Sequence, residues 1–453
     1  MRDWQSRLLH VLGPCVHFDE KTCLRYATDK SPGLSYRPEA VALPQTPLQV
    51  QQLLDFANAE NMPLIPRGAG TGTTGGALAA HGGIVVSMEA MNRIVEIDPI
   101  NRVGVVEPGV ITGNFQAAVE AQGLFYPPDP ASLAKCSLGG NVAENAGGPR
   151  AVKYGVTGQF VLGLAGFFGD GTPFRLGGKR LKDVAGYDMM RLLIGSEGTL
   201  AILTEITFKL LPFPPFRRVF LAGFEAYSDA LSALALLQKT VQPSAIELTD
   251  QRCLRAVETQ MGRPLPGSQT RVQLLIEVDG FDENQVQTHL TTALDLAKAS
   301  NATVLEPAHS EADTQAFWAL RRGISEALKQ LCPAKISHDI TVPISEIEAT
   351  MAYLETLETR FGIPVLGYGH LGDGNLHINI LPQNPETDPV YAVVEALFAH
   401  VVKVGGTLSG EHGIGLSKKA FMPLMFSTEI LQKMQALKTV FDPKNILNPG
   451  KLL

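Results

Sequence analysis

Between Gly68 and Gly198 glycine recurs in three dense stretches beside strand-like runs, and no other feature limits the fold of this chain as strongly. Glycine has no Cβ, so backbone N–H groups there can close on a ligand or on another backbone. The first stretch, PLIPRGAGTGTTGGAL (63–78), sets Arg67, Gly68, Ala69, Gly70, Thr71 and Gly72 directly after an apolar run. Alone it reads equally well as a tight turn. It lacks the Lys-Ser/Thr ending of a phosphate loop, and no clean dinucleotide fold begins with it. The second, PDPASLAKCSLGGNVAENAGGPRAVKYG (128–155), holds Ser132, Gly139, Gly140, Asn141 and Asn145. A third, LKDVAGYDMMRLLIGSEGTLAILTEITFKL (181–210), puts Gly198 and Ile202 at a turn entering a strand. Two glycine cradles in one domain suit a diphosphate with a ring at one end.

The chain has 453 residues, a prior for two to three structural units. Its net charge is −7 with no long run of either sign, which argues against nucleic acid and against a polybasic membrane role. Five scattered cysteines form neither a disulfide framework nor paired thiolate sites, so a reducing compartment is expected. No segment reaches the length of a membrane span. The expectation is a cytoplasmic protein, free or peripheral to the inner face of the membrane. Thr46 and Pro47 predict a helix start before Val50, Leu53, Leu54 and Ala57 at helical spacing, and short β-like pieces follow at 63–66, 83–88, 93–97 and 102–109. Pro212, Pro214 and Pro215 stop a strand, which places a boundary near 213. Beyond it, strands alternate with helices as in an α+β layer. The predicted division is 1–213, 214–415, and a tail 416–453 that returns to the first domain.

The second half carries a different chemistry. In GYGHLGDGNLHINI, His370 and His377 flank two glycines, Gly372 and Gly374, in a predicted strand–turn–strand, so both imidazoles can meet at one ion. GGTLSGEHGIGLSKKAF adds Glu411 and His412, which supplies two histidines and a carboxylate with one histidine left over. Such a set leaves coordination positions open for a substrate. Arg321 and Ser325 lie four apart on one helical face, where an arginine is otherwise an ordinary solvated charge. Cys136 reads as a small buried thiol, Trp318 as core packing or a neighbour of the ring ligand, and His10, His17, His81 and His338 as structural or surface residues.

Taken in order, the three glycine-rich segments resemble the FAD-binding domain of the vanillyl-alcohol oxidase and p-cresol methylhydroxylase superfamily. The resemblance is to the branch of the glycolate oxidase flavoprotein subunit, D-lactate dehydrogenase and D-2-hydroxyglutarate dehydrogenase, and it runs to LNPGK at the C-terminus. It implies an α+β protein: a two-part FAD-binding domain plus an α+β substrate cap with an antiparallel sheet. It implies that Arg67 to Gly72 wrap the pyrophosphate, that Ser132 with Gly139, Gly140, Asn141 and Asn145 line the flavin, that Gly198 and Ile202 hold the adenine side, and that Asn448 reaches in from the tail. Members with covalent flavin carry a histidine where this chain has Gly70-Thr71-Gly72, so the FAD is expected to be non-covalent. The family's metal ligands match His370, His377 and Glu411, its base matches His412, and zinc and manganese fit equally. Arg321 matches the arginine that clamps the substrate carboxylate, with Ser325 and Asn379 at neighbouring substrate positions. Ser337 stands where members that oxidise dicarboxylates have a lysine, although Lys335 is close by in sequence.

The resulting expectation is oxidation of a D-2-hydroxy acid, glycolate or D-lactate before D-2-hydroxyglutarate, by proton abstraction and hydride transfer to flavin. Two other readings are a transferase like alkylglycerone-phosphate synthase and a non-catalytic flavoprotein subunit of an electron-transfer complex. Electrons would leave to a partner flavoprotein or iron–sulfur subunit, a quinone or a soluble carrier, and a homodimer is allowed.

Overall fold

The computed structural model describes residues 3–453. It separates into two compact units: one takes the chain up to Ala146 with Val156–Pro212 and Glu411–Leu453, and the other takes Gly147–Gly155 with Phe213–Gly410.

In the first unit, β1 (Val16–His17), β2 (Ala40–Ala42), β3 (Leu64–Arg67) and β4 (Ile84–Ser87) form a sheet in the order β1-β2-β4-β3. β4 runs parallel to both β2 and β3. The helix Pro47–Glu60 carries the chain from β2 to β3, the two strands that flank β4. Thr46 caps that helix by accepting the Gln49 N–H, Pro47 occupies its first turn, and Val50, Leu53, Leu54 and Ala57 enter the core beside Ile84 and Val86. The chain then makes β5 (Ile94–Asp98), β6 (Val103–Val106), β7 (Leu124–Phe125), β8 (Val161–Phe168), β9 (Pro173–Gly177), β10 (Ala201–Lys209) and β11 (Leu211–Pro212). Five of these build an antiparallel sheet in the order β5-β6-β10-β8-β9, and β7 pairs with β11. The tail closes this unit. The Leu64 N–H donates to Ile446 O at 2.7 Å, the Asn448 N–H to Leu64 O at 2.7 Å, and Ile446 and Leu447 are buried in the same core.

The second unit is one seven-stranded antiparallel sheet made of β12 (Phe216–Phe224), β13 (Ala245–Asp250), β14 (Val272–Gly280), β15 (Val304–Pro307), β16 (Ile336–Thr341), β17 (Val365–His370) and β18 (Asn375–Ile380). The order is β15-β12-β14-β13-β17-β18-β16. The helices Gln251–Met261 and Glu311–Leu331 share a buried cluster with β17 through Leu254, Val257, Leu320, Ile324, Leu328, Leu366 and Tyr368. The short segment Gly147–Gly155 docks on β14: Arg150 forks onto Glu277 (Nε–Oε1 2.9 Å, Nη2–Oε2 3.0 Å), while Lys153 and the Tyr154 hydroxyl donate to Asp279. Burial pushes the Glu277 carboxyl up, but the Arg150 guanidinium outweighs this and holds it below the ordinary carboxylate value.

Three features differ from the sequence reading. The tail rejoins the first unit at Glu411 instead of 416, and residues 147–155 belong to the second unit. The tail carries a full helix, Thr428–Phe441, pinned by Lys438, whose buried ammonium donates to Thr199 O, Leu447 O and Asp442. The strand Ala245–Asp250 and the helix Gln251–Met261 were also not anticipated. Among the described residues no helix is long and apolar enough to cross a membrane.

Candidate active site

A cleft of about 290 Å³ opens in the first unit, and all three glycine stretches line it. Arg67, Gly68, Ala69, Gly70, Thr71 and Gly72 come from the turn after β3; Ser132, Gly139, Gly140 and Asn141 from the second stretch; and Gly198 and Ile202 from the turn into β10. The absence of Cβ atoms makes the cleft. A side chain on Gly68 would strike Ser137 Oγ of the second stretch, and one on Gly139 would meet Pro108 Cβ at 2.5 Å, so each cradle packs against its neighbour only where glycine leaves out the Cβ. At Gly72 the position of a Cβ is open space, and the ligand can approach the backbone there. This long, glycine-walled cleft fits a dinucleotide bound by its backbone.

Several expected contacts take another form. Arg67 is buried with its guanidinium turned into its own loop, donating to Thr28 O at 2.8 Å and lying 5.5 Å from the Tyr26 ring centroid. Burial lowers its pKa from the usual guanidinium value. It braces the cradle, and a side chain on Gly70 would collide with it. Asn145 does not line the cleft: it ends the helix Leu138–Glu144 in the left-handed region (φ 54°) and its Oδ1 accepts the Gly158 N–H. Asn448 is also off the cleft wall, with its amide donating to Gly76 O (2.9 Å) and Glu197 O (2.7 Å). Sequence reasoning missed Glu197. Its buried carboxylate accepts the N–H groups of Ile414 and Gly415, both at 2.7 Å, which ties the turn at Gly198 to the loop carrying Glu411 and His412. Both of those residues line the cleft, with His412 Nε2 3.6 Å from Glu411 Oε1.

In the second unit, the hairpin of β17 and β18 carries the two histidines, His370 at the last position of β17 and His377 inside β18. Their rings stand nearly perpendicular with centroids 5.2 Å apart. Glu247, on the neighbouring strand β13, pairs in register with His370. Its fully buried carboxylate meets His370 Nδ1 at 2.7 and 2.9 Å. Its Oε2 also lies 2.7 Å from Arg321 Nη2, an ion pair outside hydrogen-bond alignment, since that nitrogen and Nε of Arg321 have no hydrogen-bond acceptor among the described residues. Arg321 is buried, with its guanidinium 4.8 Å from the Tyr368 ring centroid. The partners of the other candidates are internal. Ser325 Oγ accepts from the Lys335 ammonium at 2.9 Å, and Asn379 accepts from Ser337 Oγ at 2.7 Å while donating to His377 O. Burial lowers the Lys335 pKa to about 8. Trp318 is core, with its indole N–H on Glu277. The end of this unit is anchored where Gly410 N–H and Ser409 Oγ both donate to Asp339, the residue paired with His377 across β16 and β18, and Glu411 is the next residue along the chain.

Comparison with known proteins agrees with this geometry. Residues 38–177 match the family model described as FAD binding domain, and residues 213–452 match that of the FAD linked oxidases, C-terminal domain. The chain is 38% identical to glycolate oxidase subunit GlcD of Bacillus subtilis, covering 100% of this chain and 97% of that one. It is 33% identical to a D-lactate dehydrogenase of Archaeoglobus fulgidus (94% and 95%) and 32% identical to a D-2-hydroxyglutarate dehydrogenase of Stutzerimonas stutzeri (94% and 93%). In fold it is similar to p-cresol methylhydroxylase with a TM-score of 0.81 at 18% identity (99% and 96%), and to an alkyldihydroxyacetonephosphate synthase with 0.78 at 21% identity (100% and 86%). A glycine-walled cleft in a matched FAD-binding domain, followed by a matched oxidase domain, makes this chain a member of the FAD-linked oxidases and a FAD-dependent 2-hydroxy-acid dehydrogenase.

Proposed function

We propose that the substrate is a short D-2-hydroxy monocarboxylate, glycolate or D-lactate, oxidised to its 2-keto acid at a site that includes a divalent ion held by His370, His377 and Glu411. The observation that carries this reading is Arg321, a buried guanidinium beside the histidine hairpin whose Nη2 lies against Glu247 while its Nε finds no hydrogen-bond acceptor among the described residues. A guanidinium N–H left open in a buried site suits a carboxylate. Ser337 offers a hydroxyl, already given to Asn379, where a second carboxylate would call for a cation. Imidazole nitrogens with one carboxylate form a donor set open to zinc or manganese. Such an ion, when bound, lowers the pKa of a hydroxyl coordinated to it. FAD bound non-covalently in the glycine-walled cleft would supply the hydride acceptor. The chain's own residues do the rest: Arg321 fixes the carboxylate and so the face of C2, and His412 takes the hydroxyl proton.

Lys335 favours a second reading. Its ammonium sits on Ser325, one helical turn from Arg321, and could meet the far carboxylate of D-2-hydroxyglutarate. A partner that drains the electrons is also part of this proposal, in keeping with the word subunit in the name of the Bacillus relative.

Anaerobic flavin bleaching with glycolate, D-lactate, L-lactate and D-2-hydroxyglutarate separates these readings. Glycolate or D-lactate should bleach fastest. His412→Ala should slow single-turnover reduction by roughly 10²–10⁴, and Arg321→Lys should chiefly raise KM. His377→Ala should lose the ion yet keep FAD. Far faster bleaching by D-2-hydroxyglutarate, or an unaltered rate in His412→Ala, would overturn the assignment.

A further inference from the structure

Glu247 has no part in the chemistry above, yet it is a fully buried carboxylate, a group that is costly to bury. It sits at the middle of β13 with no exposed surface, and its two oxygens face a histidine and an arginine from different elements. An ion pair in such a place is not needed for folding, since well-packed apolar side chains of the same volume are commonly as stable or more so. We propose that Glu247 is a positioning residue that sets two parts of the site from one point: the orientation of His370 toward the ion, and the orientation of Arg321 toward the substrate carboxylate. The inference rests on the ion and substrate reading proposed above.

The geometry supports each half. With both carboxylate oxygens within 2.9 Å of His370 Nδ1, that nitrogen carries the proton and donates it, which leaves the Nε2 lone pair as the ligand. The register of β13 against β17 places Glu247 opposite His370, so the imidazole is held by the sheet itself and not by a loop. For the other half, Glu247 draws Nη2 of Arg321 to one side while the Tyr368 ring lies against the guanidinium, and the unpartnered Nε stays available. Charge gives the same result. A divalent ion and a guanidinium side by side in a buried site repel strongly, and one buried carboxylate between histidine and arginine offsets part of that repulsion before substrate arrives.

The test uses the FAD-loaded full chain with Glu247→Gln, which keeps the shape and removes the charge. Zn²⁺ and Mn²⁺ affinities are measured by chelator competition, and propionate, a carboxylate without the hydroxyl, is titrated by calorimetry into the metal-free, FAD-loaded protein, so that it reports on Arg321 and not on the ion. Glu247→Gln should weaken both metal ions by about 10–100-fold, weaken propionate at least severalfold, and keep the FAD content and melting temperature near those of the parent. Glu247→Asp, which keeps the charge with a shorter reach, should fall between the two, and it serves as the test if the amide variant does not fold. Unchanged affinity for either probe in a folded variant overturns the shared role, because each half is measured separately. A parent that binds neither metal, with His377→Ala identical to it, would instead overturn the underlying ion site, and that result is seen before any Glu247 variant is made.

Discussion

Lys335 shows how one side chain ties stability to pH. Its ammonium is buried on Ser325, and desolvation lowers its pKa to about 8, below the ordinary 10.5 that the unfolded chain retains. Between those values the unfolded chain binds more protons than the folded one, so this group's contribution to stability rises with pH through the window and is lost as pH falls through about 8. Urea unfolding of the parent and of Lys335→Met at pH 7.5 and pH 9.5 should show the parent gaining on the variant by on the order of 1 kcal/mol at the higher pH. A difference that stays constant between the two pH values would contradict the burial argument. The other residue-scale lesson is what could be read in advance. The glycine stretches, the two histidines across a turn and the Glu411-His412 pair were visible because their residue types and spacing are unusual. Arg67 and Asn448 were visible too, but not the direction of their side chains, because a carbonyl such as Thr28 O or Gly76 O leaves no mark in the sequence.

Elements tell a similar story. Most strands and helices followed from periodicity, turn residues and prolines. β13 did not, although AIELTD alternates, because all six of its positions are buried and a fully buried acidic residue reads like a solvated one until its partners are known. Glu247 was missed with it. The hairpin that carries the histidines depends on glycine in a graded way, which can be measured. At Gly369 a Cβ would strike Asn375 O and approach Leu376 Cα at 2.8 Å, backbone that cannot withdraw without breaking the pairing of β17 with β18. At Gly367 the neighbours are the flexible end of Met351, at 3.0 Å from its sulfur. Gly369→Ala should therefore cost roughly 2–5 kcal/mol in urea unfolding and lower ion content, whereas Gly367→Ala should cost about 1 kcal/mol. Equal losses would mean that the strand pairing yields more easily than the geometry implies.

At the scale of the molecule, the tail governs whether the first unit exists at all. Ile446, Leu447 and Asn448 bond to and pack on β3, whose end starts the first cradle, and Lys438 holds that arrangement from a buried position. A chain truncated after Gly410 should fail to retain FAD, as judged by absorbance after gel filtration; stoichiometric flavin in that truncation would show that the first cradle stands without its tail.

The docked segment Gly147–Gly155 has a consequence for anyone recombining this protein with a relative. Arg150, Lys153 and Tyr154 are encoded in the first third of the chain, but their partners Glu277 and Asp279 lie more than a hundred residues later in β14. A chimera that exchanges only 213–410 would leave these three side chains to face carboxylates that a donor need not supply. The true exchangeable block is discontinuous, nine residues plus one long segment, and in the reverse graft this chain's 213–410 placed in a relative without the nine would arrive with a buried acidic pair and not the cations that answer it here.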